Sequence, residues 1–232
     1  MFDPILMAIT IVFMGIGMFV SSRLKKKFAE YSQTPLSSGL SGKEVAEKML
    51  RDNGIMDVKI TSVEGQLTDH YNPLTKTVNL SNEVYGGRNI ASAAVAAHEC
   101  GHAVQHAHAY SWLSLRSAIV PIVNISSKMM NIIFFAAFFF GAIYHMYNQM
   151  LVLIIICEGV ITAFSIITLP VELDASKRAL VWLDGSGIAR GAEHEKAKDA
   201  LSWAAKTYFV AALAALAQLL YFITLFLGRR RD

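Results

Sequence analysis

His98-Glu99-Cys100-Gly101-His102 follows the alanine-rich run Ile90-Ala91-Ser92-Ala93-Ala94-Val95-Ala96-Ala97, and its reading decides the rest of the chain. Alanine favours helix, and residues four apart on a helix share a face. Both imidazoles can therefore bind one metal ion, with Glu99 beside it to take a proton from a bound water. Two solvated histidines on an exposed helix would be the plainer explanation. The small side chains ahead of the motif count against it, because they let this helix pack closely and carry the pair inside the protein. Cys100 is turned about 200° from each histidine, so it reads as a small buried thiol and not a ligand. Cys157 lies in an apolar stretch, and both thiols should be free.

The flanking sequence places this motif in a membrane protein. The chain of 232 residues is 54% hydrophobic and only 17% charged, against a usual charged share of about 25%. Four apolar segments stand out. Residues 4–20 read as an uncleaved anchor: no basic segment precedes them, no small-residue cleavage site ends them, and Arg23, Lys25, Lys26 and Lys27 follow at once. Seventeen residues of helix reach about 25 Å, short but sufficient for a bilayer. Residues 117–127, interrupted by Pro121 and Asn124, read as a bent helix leading into a crossing over 128–147. A short turn at 147–149 joins this to a third span over 150–169, closed by Pro170. The fourth covers 208–227, with Ala211, Ala212, Ala214, Ala215 and Ala217 as a close-packing face.

Charge bias orients these spans. Residues 21–116 hold eleven Lys and Arg and residues 171–207 hold six, whereas the turn at 147–149 holds none. Both charged segments are expected in the cytoplasm of a bacterial cell, under a multi-pass inner membrane; Arg229-Arg230-Arg231 then fall outside, against the same rule. The net charge of +3 and the absence of basic residues interleaved with aromatics argue against nucleic acid as a partner. Glu158, inside the third span, reads as a protonated carboxyl facing the bundle or reaching toward the outer surface.

Segment 21–116 predicts a small α+β domain. Ser41-Gly42-Lys43-Glu44 is a capping box opening a helix with Val45, Ala46, Met49 and Leu50 on its apolar face and Gly54 at its stop. Val58–Thr61 and Thr75–Leu80 alternate as strands, Asp69-His70-Tyr71-Asn72-Pro73 reads as a turn, and the metal helix runs from about Asn89 to Ala109. A strand on the sheet edge ahead of that helix could pair with an extended peptide.

Catalytic zinc takes three protein ligands and keeps one position open. His106 continues the four-residue series but drifts about 40° per step, and His108 lies further off the face. Glu172, in Leu169-Pro170-Val171-Glu172-Leu173-Asp174-Ala175-Ser176, is the better third ligand. The second and third spans form a hairpin, so this segment returns to the side where the histidines lie.

Asp69-His70-Tyr71-Asn72-Pro73, Ala96-Ala97-His98-Glu99-Cys100-Gly101-His102-Ala103-Val104-Gln105 and the segment around Glu172 together resemble the YugP-like family of bacterial membrane zinc metallopeptidases, over nearly the whole chain. The resemblance implies a gluzincin site, with His98, His102 and Glu172 as ligands of Zn2+ and Glu99 as base. A more distant likeness is to membrane peptidases of the HtpX type. Those carry Glu-x-x-Ala-Asp at the third ligand; here Ser176 stands in place of that Asp, and Asp174 or Asp69 could instead orient a zinc-bound histidine.

The reading is a mainly α membrane protein with about four transmembrane helices and a small cytoplasmic, zincin-like catalytic domain. Its domains are an anchor over 4–20, a catalytic part over 21–116, a transmembrane hairpin over 117–170, a helical segment with the third ligand over 171–207 and a last span over 208–227. The expected reaction is endopeptidase hydrolysis of a peptide or protein, membrane proteins or their cytoplasmic tails among them, with Glu99 as general base. His70, Tyr71, Arg178 and His194 are candidates to stabilise the oxyanion. Two alternatives carry their own signatures. A site-2-type intramembrane protease would use the Asp184 of Leu183-Asp184-Gly185 as ligand, although that triplet sits in polar surroundings that suit a helix stop. A scaffold or adaptor with a vestigial structural zinc site would have no use for Glu99.

Overall fold

A computed structural model describes residues 3–140 and 147–229. Four of its helices are long and apolar enough to cross a membrane: α1 (Pro4–Ser32), α5 (Ser111–Phe140), α6 (Tyr147–Gly185) and α7 (Ala192–Arg229). Between the first two lies a small mixed domain of α2 (Gly42–Asp52), β1 (Lys59–Val63), β2 (His70–Asn72), β3 (Thr77–Ser81), α3 (Asn82–Gly86) and α4 (Ile90–Ala107). The chain divides into two compact units. One gathers residues 1–18, 115–169 and 208–232; the other gathers 19–114 and 170–207.

The first unit holds the apolar parts of the long helices. Leu151, Tyr221 and Phe222 are buried there, with Leu6, Ile9, Ile154 and Ile155 packed around them. Glu158 is buried too, which fits a carboxyl turned into the bundle. The turn expected at 147–149 is already helix, because α6 starts at Tyr147; residues 141–146, part of the expected second crossing, lie outside the described residues. Arg230 and Arg231 are likewise outside them.

Pro170 does not close the third apolar helix. α6 runs through it to Gly185. An internal proline loses one hydrogen bond and costs about 3 kcal/mol or more. The next turns offset that, since Val171, Ala175, Ala179 and Leu183 form one fully buried face, and burying a Val or Leu alone contributes roughly 1.5–3 kcal/mol. Pro121 is carried inside α5 in the same way. Segments 192–207 and 208–227 form the single helix α7, with no break between them.

The second unit is built on α4. Its N-cap Asn89 accepts from the Ser92 amide at 2.9 Å. The helix is buried nearly all round, from Ile90 to Gln105, which is the condition of a core helix. α2 packs against it through Val45, Ala46 and Met49, and the Cys100 thiol faces the Ala46 carbonyl at 3.6 Å. The capping box of α2 forms as expected, with Ser41 and Glu44 exchanging bonds, and Gly54 takes the left-handed conformation (φ +70°) that ends the helix. Cys100 and Cys157 are both free and buried.

The sheet departs from expectation. Asp69–Pro73 holds a third strand, β2, and the order is β1-β3-β2. β3 pairs with β1 in parallel and with β2 antiparallel. The strand nearest in sequence to α4 is therefore central, its Val78 and Leu80 fully buried, and the edges are β1 and β2. A three-residue strand is too short to show alternation in sequence, and the Asn-Pro signal after it reads as a turn alone.

Candidate metal centre

α4 sets His98 and His102 one turn apart, with ring centroids separated by 4.8 Å and planes at 80°. α6 supplies the third group. Its close approach is permitted by Gly101, inside the motif: a Cβ there would sit 2.5 Å from the Ala175 carbonyl oxygen. Backbone cannot yield as a flexible side chain can, so Gly101→Ala should push α6 and Glu172 away from the histidines. The expected cost is about 1–3 kcal/mol of stability together with weakened zinc binding. A variant with wild-type melting and zinc content would refute that role.

Glu172 Oε2 lies 3.4 Å from His98 Nε2 and 3.6 Å from His102 Nε2. The three donor atoms fall within 4.8 Å of one another. Tetrahedral zinc with bonds of 2.0–2.2 Å separates its N and O donors by about 3.3–3.6 Å, and both His–Glu separations match that spacing. The far nitrogens are occupied elsewhere: His102 Nδ1 meets Gln105 Oε1 at 3.0 Å, and His98 Nδ1 meets the Ser176 hydroxyl at 3.1 Å. Such outer contacts turn the Nε2 atoms toward a shared point. His102 and Glu172 are buried and His98 is partly so. Glu99 is also buried, on the turn between the two histidines.

The charges agree with this proximity. Burial would raise the Glu172 carboxyl, but the imidazoles of His102 and His98 hold it well below the usual carboxylate range. Burial would lower His102, yet the neighbouring Glu172 and Glu99 carboxylates raise it. These directions make an expectation for the protein stripped of metal. Glu172 adds stability above its unfolded value near 4.5, lost as pH falls through its lower folded value. His102 adds stability below its unfolded value near 6.5, lost as pH rises through its higher folded one. Both contributions are full between about pH 4.5 and 6.5. Unfolding of chelated protein across pH should show its maximum there, and His102→Ala should flatten it; a wild-type profile without that maximum would contradict the pairing.

The other sequence candidates are placed as follows. Asp69 accepts from the Ser81 amide at 2.7 Å and the Ser81 hydroxyl at 3.2 Å, so it braces β3 instead of a histidine of α4. Burial raises its pKa and the Ser81 bonds oppose the rise. Asp174 reaches His102 only through Gln105, whose Nε2 donates to Asp174 Oδ2 at 2.8 Å. Arg178 is engaged by that same oxygen, its Nε donating at 2.6 Å. His70 is exposed on β2, with Nδ1 at 2.8 Å from the Thr68 carbonyl. The Tyr71 hydroxyl meets His106 Nδ1 at 2.8 Å, one turn past His102. His194, on α7, lines a groove with Ser176, Leu180 and Leu201. Asp184 is exposed near the end of α6, twelve residues beyond Glu172, or roughly 18 Å along the helix. That removes the basis of the site-2-type alternative.

Sequence reasoning missed Gln105 as the partner of His102. The signal was present: Gln105 is three residues past His102 and seven past His98, hence on their face of α4. The Ser176 hydroxyl, which meets His98 Nδ1, has no such local signal, because it comes from α6.

Comparison with known proteins agrees with this site. A family model described as "Putative neutral zinc metallopeptidase" matches residues 6–227. A curated protein of Bacillus subtilis (strain 168), "Putative membrane protease YugP", is 39% identical over 224 residues, covering 97% of this chain and 97% of that protein. No solved structure matches the chain.

Proposed function

We propose, from the premise that this chain belongs to the family of neutral zinc metallopeptidases, that it is a membrane-embedded endopeptidase with Glu99 as general base. The carrying observation is the convergence of His98 Nε2 and His102 Nε2 on Glu172 Oε2, at 3.4 and 3.6 Å. These three residues would hold the zinc. When bound, zinc would supply a Lewis acid for the scissile carbonyl and for the attacking water. Glu99 receives the proton of that water and returns it to the leaving amine. Its place between the histidines supports this role, and a purely structural metal site would have no need of a buried carboxylate there.

β2 offers an unpaired edge beside α4 on which an extended peptide could be laid. Tyr71, on that strand with its hydroxyl against His106 Nδ1, is a candidate oxyanion donor for such a peptide. The charge bias of the loops favours a cytoplasmic site under a bacterial inner membrane, with membrane proteins and their tails as substrates. Purified full-length protein with one zinc per chain should cleave an unfolded protein internally, stop when chelated, and resume on zinc addition. Zinc-loaded protein without cleavage, or cleavage indifferent to chelation, would overturn the proposal.

A further inference from the structure

We infer that Gln105 is a positioning residue, held by Asp174 and Arg178, that locks His102 with its proton on Nδ1 and its Nε2 lone pair free for metal. This rests on the reading of His102 as a ligand. The Arg178 guanidinium has N–H donors and no acceptor. Its Nε lies 2.6 Å from Asp174 Oδ2, so that oxygen accepts. The same oxygen lies 2.8 Å from one end of the Gln105 amide, and the Val171 carbonyl, also an acceptor, lies 2.8 Å from that end. An amide has one donating and one accepting end. Two acceptors at one end make it the NH2 group, so Oε1 faces His102.

At 3.0 Å from that Oε1, His102 Nδ1 must donate. The neutral ring then carries its lone pair on Nε2, the nitrogen that faces Glu172. Gln105 is completely buried, so solvent does not stand in for it. His98 differs. Its Nδ1 partner is the Ser176 hydroxyl, which can donate or accept by rotating and so fixes no tautomer. The two ligands on one helix are thus held unequally. The lock also ties α4 to the Val171 carbonyl, directly before Glu172, so one amide aligns His102 and the backbone that carries the third ligand.

Nitrogen-15 NMR of His102 reads this directly in full-length, metal-free protein under alkaline conditions where the ring is neutral. The proton is expected on Nδ1 in wild type, and Gln105→Leu should shift the tautomer toward Nε2. That variant should also bind zinc about 10–100-fold more weakly, and Ser176→Ala should lose less. Gln105→Glu places two carboxylates together and should bind weakly. A wild-type proton on Nε2 would overturn the inference, as would a folded Gln105→Leu protein with unchanged tautomer and affinity. If Gln105→Leu fails to fold, the wild-type tautomer still decides, because that measurement needs no variant. Wild type that binds no zinc would defeat the metal reading, while the tautomer would still decide this one.

Discussion

Glu99→Gln is expected to keep one zinc per chain and to lose peptide cleavage by about 10²–10⁴-fold. Glutamine matches glutamate in shape, so a buried site packed around Glu99 should tolerate it without rearrangement. It cannot accept a proton, and the step assigned to Glu99 is proton transfer. Glu99 lies outside the group of three donors within 4.8 Å of one another, so metal should stay. The pair of readouts matters more than either alone. Lost cleavage with retained zinc assigns the base; lost zinc would make Glu99 part of the metal shell; retained cleavage would remove it from the chemistry. Metal analysis and a turnover assay on one preparation separate the three.

Glu172→Ala is expected to lower zinc affinity by more than about 100-fold, beyond the upper range for loss of an outer contact to a ligand. It removes one of three protein donors, and the remaining imidazoles cannot complete a catalytic site. Glu172 is 3% exposed, so water has poor access to replace it. The variant should also lose the acid arm of the pH–stability profile, because the lowered carboxylate that produces it is gone. Asp184→Ala serves as the contrast. It lies on the same helix but is exposed and three turns away, and its zinc content should equal that of wild type. Zinc lost from Asp184→Ala and kept in Glu172→Ala would reverse the assignment.

The site's chemistry was legible because it is written in helical spacing. Two histidines four apart on an alanine-rich segment specify a face without tertiary information, and the hairpin of apolar spans returns Glu172 to the same side. Long-range contacts were less visible. Pro170 signals a helix end locally, yet burial of Val171, Ala175, Ala179 and Leu183 carries α6 through it. β2 has only three residues, and its pairing with β3 is a property of the sheet. Gln105 joins His102 to Val171 and Asp174, which lie 66 and 69 positions beyond Gln105, a connection that no local pattern encodes. Gly101 likewise carries no local signal of the Ala175 carbonyl that lies against it.

X-ray absorption at the zinc edge of full-length protein carrying one zinc per chain tests the shared coordination of His98, His102 and Glu172 most directly. Two imidazoles and oxygen donors at about 2.0–2.2 Å, with no sulfur, are expected in wild type, and one imidazole fewer in any His98→Ala or His102→Ala protein that still holds metal. A sulfur at about 2.3 Å, which would bring Cys100 or Cys157 into the shell, or a third imidazole in place of the carboxylate, would contradict it.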